Sequence, residues 1–498
     1  MDYLEVLRTG IASGNTWIPA TAIKKACGTL SRIKDEVLKG NIIFHKALDE
    51  NDINAFTFPK YHVAENEIAK HIVRLINSPI PTHEDNVIDV AIQKAESKLN
   101  IALHEEQKKG VIEAIKNPVM ILTGGPGTGK TSVLQVIVEA ILYLEPDTRF
   151  CFTAPTGKAA RRITESTGHK AYTTNKKIQV WEGHMTPTPI EDAEVIICDE
   201  FSMSDVLISA AFFKAIPSGK RLILVGDVDQ LPSVGAGSVL KDLINTGCIP
   251  VVKLIKTFRQ AGDSYILLNS MKIKHGNYNL EKDAYFRIAE SKNFKESADL
   301  MIKEYIYYVN KYGVENVACL VPYKSYGEAS AVAMNKRLQA IINPPSPDKA
   351  ELLYENCIFR QGDIVMQLKN KEKCVNGDVG RIESIKDDVI RVSYTEDTVE
   401  YEISELSQLT LAYAMTIHKS QGSEYKAIVS CFNLQHGKML QRNLLYTAIT
   451  RAKNEFFAAS EDSAIKKAVM TVDSDTRFTY LVEKILYEMR KFSFLFAK

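Results

Sequence analysis

The segment Gly124-Gly125-Pro126-Gly127-Thr128-Gly129-Lys130-Thr131 follows the apolar run Val119-Met120-Ile121-Leu122 and precedes Val133-Leu134-Gln135-Val136-Ile137-Val138. A strand, a glycine-rich turn and a helix in that order make a cradle for phosphate. Glycines let backbone N–H groups converge on phosphate oxygens with no Cβ in the way. The helix N-terminus adds partial positive charge. In this reading Gly125, Pro126, Gly127, Thr128 and Gly129 form the cradle, Lys130 reaches the outer phosphates, and the Thr131 hydroxyl ligates Mg²⁺. The chemistry implied is binding and cleavage of a nucleoside triphosphate.

Further residues fit the same reaction. Val195-Ile196-Ile197-Cys198 ends in Asp199-Glu200. Asp199 is suited to hold Mg²⁺ and Glu200 to orient and deprotonate an attacking water. Leu222–Val225 ends in Gly226-Asp227-Val228-Asp229-Gln230-Leu231-Pro232, where Gln230 can sense the γ-phosphate. In Thr257-Phe258-Arg259-Gln260, Arg259 can neutralise charge developing on that phosphate and Phe258 can stack on a base. Arg451, in Leu445-Tyr446-Thr447-Ala448-Ile449-Thr450-Arg451, is a second arginine suited to the same task.

These residues need elements to position them. Short aliphatic runs at Val119–Leu122, Phe150–Thr153, Val195–Cys198, Leu222–Val225 and Val251–Leu254 alternate with longer amphipathic stretches, which predicts a parallel sheet covered by helices. A second series, Val317–Val321, Ile364–Gln367, Ala427–Phe432 and Phe456–Ser460, predicts a second α/β domain. Between residues 360 and 408, turn signals separate short alternating runs, as in a small β-barrel insert. Residues 1–95 stand apart, with a short helix over Ala20–Leu30 and a hairpin over Ile42–Phe58. They suit either a winged-helix-like module or a structural appendage.

The chain has 498 residues, enough for several domains, with 45% hydrophobic and 25% charged residues, as in a soluble protein. Net charge is +1, so a nucleic-acid partner must be met by a local basic groove. The eight cysteines are scattered and form no CxxC pair, which indicates neither a zinc site nor a disulfide framework. No apolar run of about 18 residues and no leader-like start is present, so a cytoplasmic protein (or one of the host cytoplasm, if viral) without a membrane partner is expected.

Taken in order, the motifs resemble those of superfamily 1 helicases, specifically the RecD-like (1B) branch, over about residues 100–460. Gln107 matches the adenine-reading glutamine and Gly124–Thr131 motif I. Thr153-Ala154-Pro155-Thr156-Gly157-Lys158-Ala159-Ala160 matches motif Ia, Asp199-Glu200 motif II, Gly226–Pro232 motif III and Phe258-Arg259 motif IV. Thr416-Ile417-His418-Lys419-Ser420-Gln421-Gly422-Ser423-Glu424 matches motif V, and Thr447–Arg451 motif VI. The region after motif Ia reads Tyr172-Thr173-Thr174-Asn175-Lys176 and departs from the Thr-Ile-His common in the branch.

The resemblance implies an α/β fold of two RecA-like parallel-sheet domains with an SH3-like insert and a small N-terminal α+β domain. Its bounds would be 1–95 for the N-terminal domain and 96–265 for the first RecA-like domain, with a hairpin at about 174–192. The second RecA-like domain would be 266–498, with the insert at about 360–408. The implied activity is ATP- and Mg²⁺-dependent unwinding of DNA by a motor moving 5′ to 3′ on a single strand; a translocase that does not separate strands is the alternative. Gly422 and Glu424 would then line the nucleotide. Pro155, Thr156 and Lys158, with His418, Lys419 and Ser420, would touch the strand; the alternative for Lys158 is a solvated helix start, and for His418 a core imidazole. Trp181, beside a turn at Glu182-Gly183, would stand at the fork, or be an ordinary loop tryptophan. Single-stranded and forked DNA are the implied partners, with a monomeric motor and a replication or recombination protein docking on the N-terminal domain.

Overall fold

Largely apolar runs of three to nine residues build two parallel sheets in this computed structural model, which describes residues 2–47, 52–181, 183–256, 265–371, 373–394, 397–472 and 477–496. The first sheet has six strands in the order Ala171–Thr173, Phe150–Ala154, Val195–Cys198, Arg221–Gly226, Val119–Gly124, Val251–Leu254, all parallel. Its three central strands are buried along their whole length, because helices cover both faces. Lys130–Leu144 and Asp85–Leu99 lie in the core of one face. Val206–Ala215, Pro59–Ile76 and the C-terminal helix Leu481–Phe496 lie on the other.

The second parallel sheet runs Phe286–Glu290, Ala452–Ser460, Tyr425–Phe432, Val317–Val321, Ala414–Thr416. Ile364–Gln367, expected in this series, belongs elsewhere. It pairs antiparallel with Val379–Lys386 and Leu409–Leu411, inside a five-stranded antiparallel sheet completed by Val389–Ser393 and Thr398–Tyr401. A short apolar run has the same periodicity in either setting; the turns at Gly362-Asp363 and Asn376-Gly377-Asp378 decide it.

At the N-terminus, Tyr3–Ala12, Ile18–Pro19, Ala20–Cys27, Ser31–Leu38, Ile43–His45 and Ala55–Thr57 give a helix–strand–helix–helix–strand–strand order, with Ala55–Thr57 central in the small antiparallel sheet. Among the described residues no helix is long and apolar enough to cross a membrane.

The chain then closes on itself. After the helix Asp462–Met470, packed in the second domain, Arg477–Tyr480 lie against the first domain and the N-terminal module. A fully buried carboxylate, Glu65, ties the three together. It accepts from Thr16 Oγ1 (2.5 Å), Trp17 Nε1 (2.9 Å) and the Tyr480 N–H (3.3 Å), and pairs with Lys484 Nζ (3.0 Å). A buried carboxylate this well surrounded is stable; its partners without it are not. Glu65→Ala takes the carboxylate from the Lys484 ammonium, which keeps its bonds to His62, and leaves the Trp17 N–H without its acceptor; it is expected to lower unfolding stability by about 3–5 kcal/mol. A urea midpoint equal to that of the parent chain would refute this.

Candidate ATP site and strand interface

Gly127 and Gly129 carry positive φ (+72° and +82°), which lets the loop after Val119–Gly124 curl into the N-terminus of Lys130–Leu144. Lys130 Nζ donates to the carbonyls of Gly124 (2.6 Å) and Gly125 (3.1 Å), and Thr128 Oγ1 donates to Gly125 O (2.8 Å). These bonds hold a cation and a stiff loop at the positive end of a helix, a setting for phosphate. Gln107 is buried behind the loop: its Nε2 donates to Thr128 O (3.1 Å) and its Oε1 accepts from the His104 N–H (2.9 Å).

Two strands along the sheet, Val195–Cys198 delivers Asp199 and Glu200, with the strand that ends at Gly226 between. Glu200 has φ +51°, a conformation that side-chain-bearing residues rarely adopt and that recurs at functional sites. Asp199 Oδ1 accepts from the Glu200 N–H (2.8 Å), and Oδ2 has no protein partner among the described residues. Burial, then the Asp199 charge, push the Glu200 carboxyl above its ordinary value, against the pull of Arg451, Lys130 and Arg162. Residues of both parallel-sheet domains thus share one electrostatic environment.

Arg451 is the link. Its Nη2 donates to Gln230 Oε1 (3.0 Å) and its Nη1 to Ser423 O (3.1 Å), while Nε is buried with no partner among the described residues. Gln230 Nε2 donates to Asp227 Oδ2 (3.3 Å), which also accepts from Tyr446 Oη (3.0 Å) of the second domain. That hydroxyl lies 3.0 Å from where a Cβ on Gly125 would stand. The seam continues through the Leu231 N–H donating to Thr447 Oγ1 (3.0 Å) and Gln421 Nε2 donating to Leu231 O (2.8 Å).

A second seam runs along the helix Gly157–Thr167. Thr156 Oγ1 caps it, accepting from the Ala159 N–H (3.3 Å). Lys158 Nζ lies 3.3 Å from Tyr425 Oη and 4.7 Å over that ring. Arg161 pairs with Asp378 of the antiparallel insert (3.4 Å) and Arg162 with Glu424 (3.1 Å). Gly157 packs where any Cβ would strike Val375 of the insert at 1.7 Å. Pro155, Thr156, Lys158 and His418 are half-buried and Lys419 is exposed. Partial desolvation and the nearby Lys324 ammonium push Lys419 below the ordinary lysine range, so two cations crowd one spot. At the far edge, Trp181 and His184 exchange backbone hydrogen bonds (3.0 and 2.9 Å) across a tight turn, and their rings stack at 4.5 Å with Trp181 exposed.

Residues 107–236 match the AAA domain family, residues 334–394 the ATP-dependent RecD-like DNA helicase SH3 domain, and residues 411–457 the UvrD-like helicase C-terminal domain. The ATP-dependent RecD2 DNA helicase of Deinococcus radiodurans is 32% identical over 431 residues, covering 85% of this chain and 57% of that protein. This chain belongs to the RecD-like helicase family. It spans little more than half the length of that relative. The RecBCD enzyme subunit RecD of Mycolicibacterium smegmatis is 27% identical, covering 75% of the RecD-like chain and 74% of its own. A crystal structure of Pif1 helicase from Bacteroides in complex with ADP-AlF3 and ssDNA is 18% identical, covering 78% of this chain and 98% of its own, with a TM-score of 0.47.

In this RecD-like chain the cleft gathers Lys130, Asp199, Glu200, Gln230 and Arg451. Phe258 and Arg259 lie outside the described residues, as does Glu182 of the turn. Ser420, expected on the strand face, is fully buried; its hydroxyl donates to Ile417 O (2.7 Å) and serves the turn instead. Gly422 and Glu424, expected around the nucleotide, sit on the second seam: Gly422 lies against Thr156, and Glu424 pairs with Arg162 and Lys453. Asp227, Tyr446 and Arg162 were given no role from sequence. The first two stand inside the motif-bearing segments, and a carboxylate three residues before Gln230 and a phenol five residues before Arg451 are the available signal.

Two outcomes follow from this geometry. Arg451→Ala is expected to leave nucleotide binding near the parent value and to lower turnover by about 10³-fold or more; loss of affinity with turnover, the fold intact, would make Arg451 a ground-state ligand. A base whose pKa is raised loses activity on acidification earlier than an ordinary glutamate does. The acid limb of kcat/KM for ATP is therefore expected above the ordinary glutamate range, measured as a pH profile; a limb within that range would exclude Glu200, in this environment, as the base.

Proposed function

We propose that this chain is an ATP-driven DNA helicase that moves on single-stranded DNA and separates duplex strands. The observation that supports the proposal is the Arg451–Gln230 contact, in which an arginine of one parallel-sheet domain meets a glutamine of the other, while Arg451 and Lys130 both act on the Glu200 carboxyl. The residues fit ATP and Mg²⁺. The loop presents Lys130 and backbone N–H groups to phosphates, and Thr131 with the free Asp199 oxygen offers the hard oxygen donors that Mg²⁺ takes. Bound there, Mg²⁺ would draw negative charge from the β- and γ-phosphates.

In the proposed cycle Lys130 binds the outer phosphates. Glu200 orients a water and takes its proton; its raised affinity for protons suits a base acting near neutrality. Arg451 leaves its partnership with Gln230 for the charge growing on the γ-phosphate, and Gln230, released, reports whether that phosphate is present. After cleavage the interface loses this tie and the domains part. One chain carries both halves of the cleft, so a monomer suffices for turnover.

The strand is proposed to lie along the second seam, against Pro155, Thr156 and Lys158 of the first domain and His418 and Lys419 of the second. Lys324 joins them, since two crowded ammonium groups fit a backbone phosphate. Trp181 and His184 form a flat, exposed stack that can meet the terminal base pair at a fork. Polarity, 5′ to 3′, is proposed from the family alone.

The test is strand displacement with ATP and Mg²⁺ on duplexes bearing a 5′ or a 3′ single-stranded tail. Unwinding from the 5′ tail is expected. ATP hydrolysis stimulated by single-stranded DNA without displacement from either tail would reduce the protein to a translocase. Trp181→Ala is expected to lower displacement several-fold while single-strand-stimulated ATP hydrolysis stays within two-fold, a stacking contact being worth about 1–3 kcal/mol; equal losses in both would remove Trp181 from the fork.

A further inference from the structure

Arg477 lies outside every motif, beyond the last helix of the second domain. Its side chain reaches the first. Nη1 lies within hydrogen-bonding distance of Ser233 Oγ (3.1 Å), Gly235 O (3.0 Å) and Gly237 O (2.7 Å), and Nη2 donates to Ser233 O (2.7 Å). The guanidinium is the hub around which the loop 233–237 folds. That loop follows directly on Gln230 and Leu231. Its start is held by the second domain through Arg451, Thr447 and Gln421. Its end is held by Arg477.

Arg477 is itself firmly placed. The neighbouring Phe478 N–H donates to Asn15 Oδ1 (2.8 Å), and Phe478 O accepts from the N–H groups of Thr16 (3.1 Å) and Trp17 (3.2 Å). Thr479 Oγ1 donates to Asp242 Oδ2 (3.0 Å). Arg477 also lies near enough to His418 that its charge helps push that imidazole below its ordinary value. The guanidinium therefore stands between the loop that follows Gln230 and a segment proposed to touch the strand. Seven residue steps separate it from Met470, the last residue of the second domain's final helix, and an extended chain of that length spans at most about 25 Å. Separation of the domains beyond that reach must pull on this anchor.

We infer that Arg477 is a positioning residue of the ATPase: by gathering the loop 233–237 it sets Gln230 against Arg451, and so conditions hydrolysis without touching nucleotide. The inference rests on the proposed ATPase. A wild-type chain that does not hydrolyse ATP in the presence of single-stranded DNA defeats that reading before any variant is compared.

The test compares wild type, Arg477→Ala and Arg477→Lys in the full chain. Binding of a fluorescent ATP analogue, single-strand-stimulated turnover, thermal midpoint and amide hydrogen exchange over residues 230–237 are measured. Arg477→Ala is expected to bind nucleotide within two-fold of wild type and to turn over about 10- to 100-fold more slowly, the scale on which misplacement of a contributing group acts. Exchange in the loop is expected to rise. Arg477→Lys, which cannot reach four acceptors at once, is expected to recover only part of the turnover. Millimolar guanidinium is expected to raise the turnover of the alanine variant and not that of wild type. Turnover within two-fold of wild type in the alanine variant overturns the inference, as does full recovery in the lysine variant. Should the alanine variant not fold, wild-type turnover and loop exchange in a folded lysine variant overturn it equally.

Discussion

A guanidinium taken out of water must be answered by oxygen, and at Arg451 the answer comes from both domains. Gln230 supplies an oxygen from the first and Ser423 a carbonyl from the second. A neutral amide and a carbonyl answer a full positive charge only in part, and Nε has no partner among the described residues. The cleft is therefore electrostatically unfinished in a definite sense: it favours added negative charge between Lys130 and Arg451. Lys130 lies within electrostatic reach of both Glu200 and Asp227, and burial raises the proton affinity of each. Buried acids that resist ionisation, set beside cations at one seam, are the arrangement a phosphate can complete.

The proposed strand face is built from a different kind of contact. The helix that begins at Gly157 touches the second domain through Lys158 and Arg162 and the insert through Arg161 and Val375. Arg162 connects the two seams, since its charge is held by Glu424 on one side and by Glu200 and Asp199 on the other, against the burial that opposes it. One short helix with contacts at both ends thus lies between the nucleotide cleft and the proposed strand path.

Much of this was legible in the sequence. The glycine-lysine-threonine cradle, the acidic pair after Val195–Cys198 and the arginine at 451 carry their chemistry in residue type and spacing, and the cleft gathers them. The five expected strands of the first sheet appear as strands, because wholly apolar runs between helices have few other fates. Edge strands were missed: Ala171–Thr173 and Ala414–Thr416 are three residues long, too short for periodicity to register. Ile364–Gln367 was assigned to the wrong sheet, because four apolar residues do not state their partners. Ser420 was placed outward by its motif and lies inward, since a hydroxyl that closes a turn looks the same in sequence as one that meets a ligand. Arg477 and Glu65 were invisible for another reason. The partners of Arg477, and Tyr480 and Lys484 beside Glu65, are hundreds of positions away, and no local pattern announces a contact that only the finished topology creates.

The meeting of Thr16 and Trp17 with Phe478 spans a sequence separation of more than 460 residues. Leu481 and Ile485 complete a hydrophobic cluster whose other members lie mostly between residues 61 and 249. A ribosome making this chain therefore exposes the apolar back of the first sheet long before the segment that covers it exists. The first domain waits, partly uncovered, through the synthesis of the second. Such late closure slows assembly and leaves a sticky intermediate. It also makes the tail a seal whose arrival reports that everything between has been built.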